Sequence, residues 1–317
     1  VQTCALPILI LVVNLNASVD KRYEMKELEK GTVMRAFKVE NTPGGKGIHV
    51  ANVATILGEE CIATGFLGGK TGEFIEEKLS DYNIKSDFIK INGETRECLA
   101  IITEDLDQTE ILEPGPEVSM EEQNKFLLKY KELIKSSNII VASGSVPRNI
   151  PKSFYGELIS IANKNNKKFL LDTSGELLVE GIKSKPFFIK PNRDEIEALT
   201  GKRIETDEDA IEEIIKFQEQ GIEFVVISLG SKGSIAGYKG KFYKVIVPKV
   251  KAVNPVGSGD SYVGGVAVAL ERGYDIEDIL RYASACGTAN AMEEETGFVR
   301  KEVVEDLFKK ITVTLNK

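Results

Sequence analysis

The chain has 317 residues, 42% hydrophobic and 28% charged, with a formal charge of −8. That is enough to bury a large core as one big α/β unit or two smaller ones. The acidic balance argues against a nucleic-acid surface, and no apolar run approaches the roughly 20 residues that span a bilayer.

Residues 1–7 fit no element and read as foreign to the domain, and the apolar run after them has no basic leader of the secretory kind. "ILILVVNLN" (8–16) predicts a buried first strand. Residues 17–41 and 88–113 read as short, partly polar strands, too poor in apolar residues for a core of their own. Together they predict a small β-sheet, a lid or dimer flap, inserted into one domain. "PGGKGIHVANVATIL" (43–57) opens a helix on glycines, with Lys46 free to pair with an anion. "GGKTG" (68–72) ends like a phosphate-binding P-loop. The glycine that pattern needs five positions before Gly69 is Thr64, so a plain turn before a helix is expected.

From "NIIVASGSVP" (138–147) onward, apolar strands alternate with amphipathic helices: "FLLDTSG", "PFFIKPN", "DEDAIEEIIKFQEQG" and "EFVVISLG". Strands without polar alternation are buried on both faces, which implies a mainly parallel sheet between helical layers. "KPNRDE" (190–195) sets Asn192 and Glu195 at a strand end, as water-mediated Mg²⁺ ligands or as a helix cap. "SLGSKG" (228–233) is a glycine turn suited to a nucleotide, or a hairpin.

"VNPVGSGDSYVGG" (253–265) places Gly257, Gly259, Gly264 and Gly265 around one acid, Asp260. Glycine weakens a helix interior, so the cluster needs a reason. Close helix packing is one. The other is an anion site, because free amides at a helix start carry partial positive charge and glycines let a phosphoryl group approach. An ionised Asp260 beside it could take a proton from an attacking hydroxyl.

The cysteines, Cys4, Cys61, Cys98 and Cys286, are far apart, as expected of free thiols in a reducing cytoplasm. His49 is the one histidine, which disfavours histidine-rich metal sites. A dinucleotide-binding oxidoreductase would need Gly-x-Gly-x-x-Gly after the first strand, and "NLNASVD" has no glycine.

In order, "NLNASVD", "GGKG", "GETR", "SGSVP", "KPNRDE", "SLGSKG" and "NPVGSGD" resemble the pfkB, or ribokinase-like, carbohydrate kinases from about Ile8 to the C-terminus. "NPVGSGDS" is similar to the branch of 1-phosphofructokinases and tagatose-6-phosphate kinases, and "GETRECLAIITEDLDQTEILEPGPE" looks most like the latter. The resemblance implies a three-layer α/β fold with a β-sheet lid, dimerisation through that lid, and ATP with Mg²⁺ as cofactors. It implies transfer from ATP to a ketohexose phosphate: tagatose 6-phosphate, with fructose 1-phosphate as the alternative and a silent sugar-phosphate sensor as the rival of another class.

Matched residue by residue, the resemblance implies Asp260 as base, with Gly257, Ser258 and Gly259 as the anion hole. Asp20 would hold sugar hydroxyls, and Gly44, Gly45, Lys46 and Gly47 would form the sugar-phosphate loop. Arg96, joined by Ser143, would grip the substrate's phosphate. Lys190, Asn192, Ser228, Gly230, Gly233 and Asn290 would meet the nucleotide, with Asn192 and Glu195 holding the metal's waters. One departure concerns His49, where such kinases carry Asn. Protonated, it would add phosphate affinity below about pH 6.5, the ordinary histidine value; otherwise it would face solvent.

Overall fold

The structure is a computed structural model that describes residues 9–105 and 107–316; Cys4 and the expectation for residues 1–7 lie outside them. The strands in chain order begin with β1 Leu9–Asn14, β2 Ser18–Glu24, β3 Lys38–Gly44, β4 Cys61–Leu67, β5 Lys85–Ser86 and β6 Ile89–Lys90. Next come β7 Arg96–Ile102, β8 Gln108–Leu112, β9 Ser137–Ser143, β10 Lys168–Asp172 and β11 Phe188–Ile189. The last four are β12 Phe224–Ser228, β13 Ser234–Tyr238, β14 Lys241–Ile246 and β15 Thr312–Asn316. The helices are α1 Lys46–Ile56, α2 Gly69–Asp81, α3 Met120–Leu133, α4 Phe154–Lys164 and α5 Gly175–Ile182. They continue as α6 Arg193–Thr200, α7 Asp207–Glu219, α8 Ser258–Glu271, α9 Ile276–Ala291 and α10 Lys301–Lys310.

The large sheet runs β15-β14-β13-β12-β11-β10-β9-β1-β4-β5, with β6 also on β4. It is parallel from β5 to β12 and antiparallel beyond. β1 explains why: Ile10 and Val12 enter one apolar layer while Leu11 and Val13 enter the other, all fully buried. A strand buried on both faces needs helices on both, and each such side chain contributes roughly 1.5–3 kcal/mol.

A second sheet of four strands, β3-β2-β7-β8, stands apart. The expected insertions meet it with one correction. Residues 89–90 pair with β4 and so belong to the large sheet, while β3 continues to Gly44, past the expected boundary at 41. The expected plain turn at "GGKTG" is corrected: Gly68 is the N-cap and residues 69–72 already form the first turn of α2. The Glu94 carboxylate accepts from the Thr71 amide at 2.7 Å and so occupies the helix start a P-loop would offer to phosphate. Cys61, Cys98 and Cys286 are buried free thiols.

Candidate active site

Parallel strands deliver their carboxyl ends, and the loops that follow, to one edge of the sheet. Here they border a cavity of about 970 Å³ that also reaches the small sheet. Fifteen of the nineteen anticipated residues line it: Asp20, Gly45, Lys46, His49, Arg96, Lys190, Asn192, Glu195, Ser228, Gly230, Gly233, Gly257, Ser258, Gly259 and Asp260.

The helix α8 carries the centre. Gly257 is its N-cap at φ 80°, a left-handed conformation that glycine adopts freely. Residues 257–259 therefore open the helix at the cavity wall, with the Ser258 amide donating to the Pro255 carbonyl at 3.2 Å. Asp260, in the first turn, is 6% exposed. The other two glycines serve packing: a Cβ on Gly264 would lie 3.1 Å from Val53 of α1, and one on Gly265 would lie 2.8 Å from Ala283 of α9. The packing reading of the cluster therefore holds for Gly264 and Gly265.

On the sugar-binding side of the expected layout, Asp20 of β2 is fixed by Ser18, whose hydroxyl donates to its Oδ1 at 2.7 Å. Gly44 lies just behind the cavity lining, where any Cβ would fall 2.1 Å from the Asp20 carboxyl carbon. Gly47 is also set back, its amide donating to Asn14 Oδ1 at 3.3 Å. Lys46 opens onto the cavity. The nearby Asp172 carboxylate outweighs partial desolvation and, with Asp260 and Glu195, raises its ammonium above the usual value. Arg96 donates from Nε and Nη2 to the Asn16 carbonyl and from Nη1 to that of Glu113, at 2.9–3.2 Å. Its guanidinium is thereby held at the rim with N–H groups to spare.

Two anticipated contacts are corrected. Ser143 is fully buried and donates to the carbonyl and carboxylate of Asp172, so it orients that acid and does not line the cavity. Asn290 is also fully buried: its Nδ2 donates to the Val256 carbonyl, and its Oδ1 accepts from Ser261 and the Gly297 amide. It clamps the loop before α8 from behind.

His49 is 9% exposed, not turned to solvent. Its Nδ1 lies 2.8 Å from Asp260 Oδ2 and its Nε2 lies 3.7 Å from Asp20 Oδ2. Asp172 is the residue sequence reading missed. It ends β10, lines the cavity, and lies 3.5 Å from Lys190 Nζ, which sits 3.3 Å from where a Gly259 Cβ would be. An acid closing an apolar strand, as in "FLLDTSG", was the available signal. Asn14, equally buried behind Gly45 and Gly47, had none beyond its strand-end position.

Asn192 and Glu195 form a reciprocal capping box on α6, each side chain accepting from the other's amide at 2.8 Å. The cap accounts for one carboxylate oxygen of Glu195, Oε2, and both residues line the cavity. Among the described residues no group of three His, Cys, Asp or Glu could cage a metal directly. No described helix is long and apolar enough to cross a membrane.

The model of the pfkB family carbohydrate kinases matches residues 11–302. This chain belongs to that family. The kinase is 40% identical to the tagatose-6-phosphate kinase of Staphylococcus epidermidis over 311 residues, covering 96% of this chain and 99% of the relative. Phosphofructokinase-2 from Escherichia coli, in complex with substrates and products, superposes with a TM-score of 0.90 at 26% identity, over 96% and 99% of the two chains. Arabidopsis thaliana ribokinase, complexed with ribose and ATP, gives 0.80 at 25% identity, over 95% and 99%. The fold is ribokinase-like and the protein is an ATP-dependent sugar kinase.

Proposed function

We propose that this kinase transfers the γ-phosphoryl group of ATP to the C1 hydroxyl of tagatose 6-phosphate. The observation that carries the reading is the α8 start, where a buried carboxylate adjoins the Gly257-Ser258-Gly259 turn in one cavity with Lys46, Arg96 and Lys190. The 40% identity to a tagatose-6-phosphate kinase supports the substrate.

Phosphoryl transfer asks a protein for positioning and charge neutralisation. Asp260 accepts the hydroxyl proton while that oxygen bonds the γ-phosphorus and the bond to the ADP oxygen breaks. The amides of Gly257 and Gly259 face the charge on the moving group, and Lys190 adds a cation beside them. Lys46 and Arg96 neutralise the phosphate already on the sugar. Apolar Val247, Val250 and Val256 with Ser228, Gly230 and Gly233 form the nucleotide's side of the cavity. Asn192 and Glu195 would hold Mg²⁺ through water, and that ion supplies charge neutralisation at the phosphates.

The test is ADP release with tagatose 6-phosphate, fructose 1-phosphate, fructose 6-phosphate and free fructose. The highest kcat/KM is expected for tagatose 6-phosphate. Preference for fructose 1-phosphate would move the enzyme to the sister activity, and binding without ADP would make it a sensor. In the same assay Arg96→Ala is expected to raise KM for the phosphorylated sugar about tenfold or more, as loss of a bidentate charge partner does. An equal loss on free fructose would remove Arg96 from phosphate binding.

Two copies would pair through the outer face of the small sheet, where Phe37, Val39 and Ile111 are 51–65% exposed. Sedimentation is expected to give twice the 34.9 kDa chain mass, and Ile111→Asp a monomer; an unchanged mass in the variant would place the interface elsewhere. Buried free thiols suit a reducing cytoplasm.

A further inference from the structure

Between the base and the lid acid lies a group that neither role uses. The His49 ring fills the gap between Asp260 on α8 and Asp20 on β2, with one nitrogen directed at each carboxylate. Its position is built rather than incidental. Gly297, in the loop after α9, has φ 67° and packs so closely that any Cβ there would fall 2.4 Å from that of His49. Gly297 is itself held by Asn52, which donates to its carbonyl at 2.9 Å, and by Asn290, which accepts from its amide at 2.8 Å. The Asp20 carboxylate is oriented from the other side by Ser18.

We propose that His49 is a positioning residue, a cationic bridge that ties Asp20 of β2 in the small sheet to Asp260 at the start of helix α8. This rests on the reading of Asp260 as the base. A neutral imidazole has one N–H donor, whereas imidazolium has two and can serve both acids. The Nδ1–H donates to Asp260 Oδ2, which leaves Oδ1 for the sugar hydroxyl. The Nε2–H attracts Asp20 across 3.7 Å, too long for a hydrogen bond but short enough for charge attraction. An asparagine there could hold one acid but could not titrate.

The charges facing the ring are Asp260 from α8, Asp20 from β2 and Lys46 from its own helix. Burial alone would pull the imidazole down. The Asp260 hydrogen bond and the two carboxylates outweigh it and, against Lys46, hold the pKa above 6.5. A raised value means that the bridge is complete at low pH and is lost as pH rises through the folded-state pKa.

As His49 is the chain's one histidine, its ring proton resonances identify themselves in untagged protein. NMR titration of the wild type is expected to give a midpoint above 6.5 that falls in Asp260→Asn and, by less, in Asp20→Asn. A midpoint that ignores both substitutions overturns the bridge. In the kinase assay, the ratio of wild-type to His49→Asn kcat/KM cancels the titration of the sugar phosphate itself. That ratio is expected to be about 10- to 100-fold below the His49 midpoint, the worth of a hydrogen bond to a charged group, and to decline above it. A ratio flat with pH also overturns the bridge, and His49→Gln serves in place of the asparagine variant should that fail to fold. Loss of turnover on every ketose phosphate, with the NMR shift intact, would refute the kinase substrate and leave the bridge standing.

Discussion

Asp260→Asn is expected to lower kcat by about 10²–10⁴ while leaving both KM values within about threefold. The amide has the carboxylate's shape and its oxygen can still accept from His49 Nδ1, 2.8 Å from the present carboxylate. The fold and the sugar pocket should therefore persist, and what disappears is the acceptor for the hydroxyl proton. On the proposed mechanism activity would not fall to zero, because the residues at the α8 start, Lys190 and Lys46 would still position the phosphates. Steady-state ADP release at saturating substrate reads the effect. A variant kcat within about threefold of wild type would take Asp260 out of the chemistry.

Gly257→Ala is expected to damage both stability and turnover. A left-handed alanine at φ 80° costs about 1–2 kcal/mol. Its Cβ would also fall 2.6 Å from Thr296 Cγ2 and 2.8 Å from the Gly297 amide nitrogen. Backbone cannot swing aside as a side-chain tip can, so a further 1–3 kcal/mol or so is expected from overpacking. Relief requires the 257–259 amides or the Gly297 loop behind His49 to move, and kcat is expected to fall about 10- to 100-fold, somewhat less than loss of an oxyanion donor. Gly273→Ala is the matched control, with φ 69° and open space where its Cβ would go. It should lose melting temperature through backbone strain alone and keep its kcat. Equal kcat in the two variants would deny the Gly257 turn any part in catalysis.

The sequence made legible what local chemistry dictates. Apolar runs such as residues 9–14 and 224–228 fit a sheet buried on both faces, and the glycines around Asp260 announced a helix start open to an anion. The departures come from distance along the chain. "FIK" at 88–90 has the look of its polar neighbours, yet β4 claims residues 89–90. Ser143 stands in "SGSVP" and Asn290 is placed by resemblance, but their partners, Asp172 and Gly297, meet them only through the fold. His49 is the clearest instance: Asp260 lies 211 residues away, so nothing in "GGKGIH" could say which acid its ring would face.

The pairing of β2 with β7 puts Ser18 opposite Arg96 and Asp20 opposite Cys98 in one parallel ladder. The acid and the guanidinium that would meet opposite ends of a sugar phosphate thus ride on a single plank. Register locks them together, since a slip of β2 by one residue would turn Asp20 to the face away from Arg96. Recognition of the ketose should behave as one mechanical coordinate. A ligand that spans the Arg96–Asp20 spacing would meet both groups already in place, so little ordering cost is expected for engaging the second.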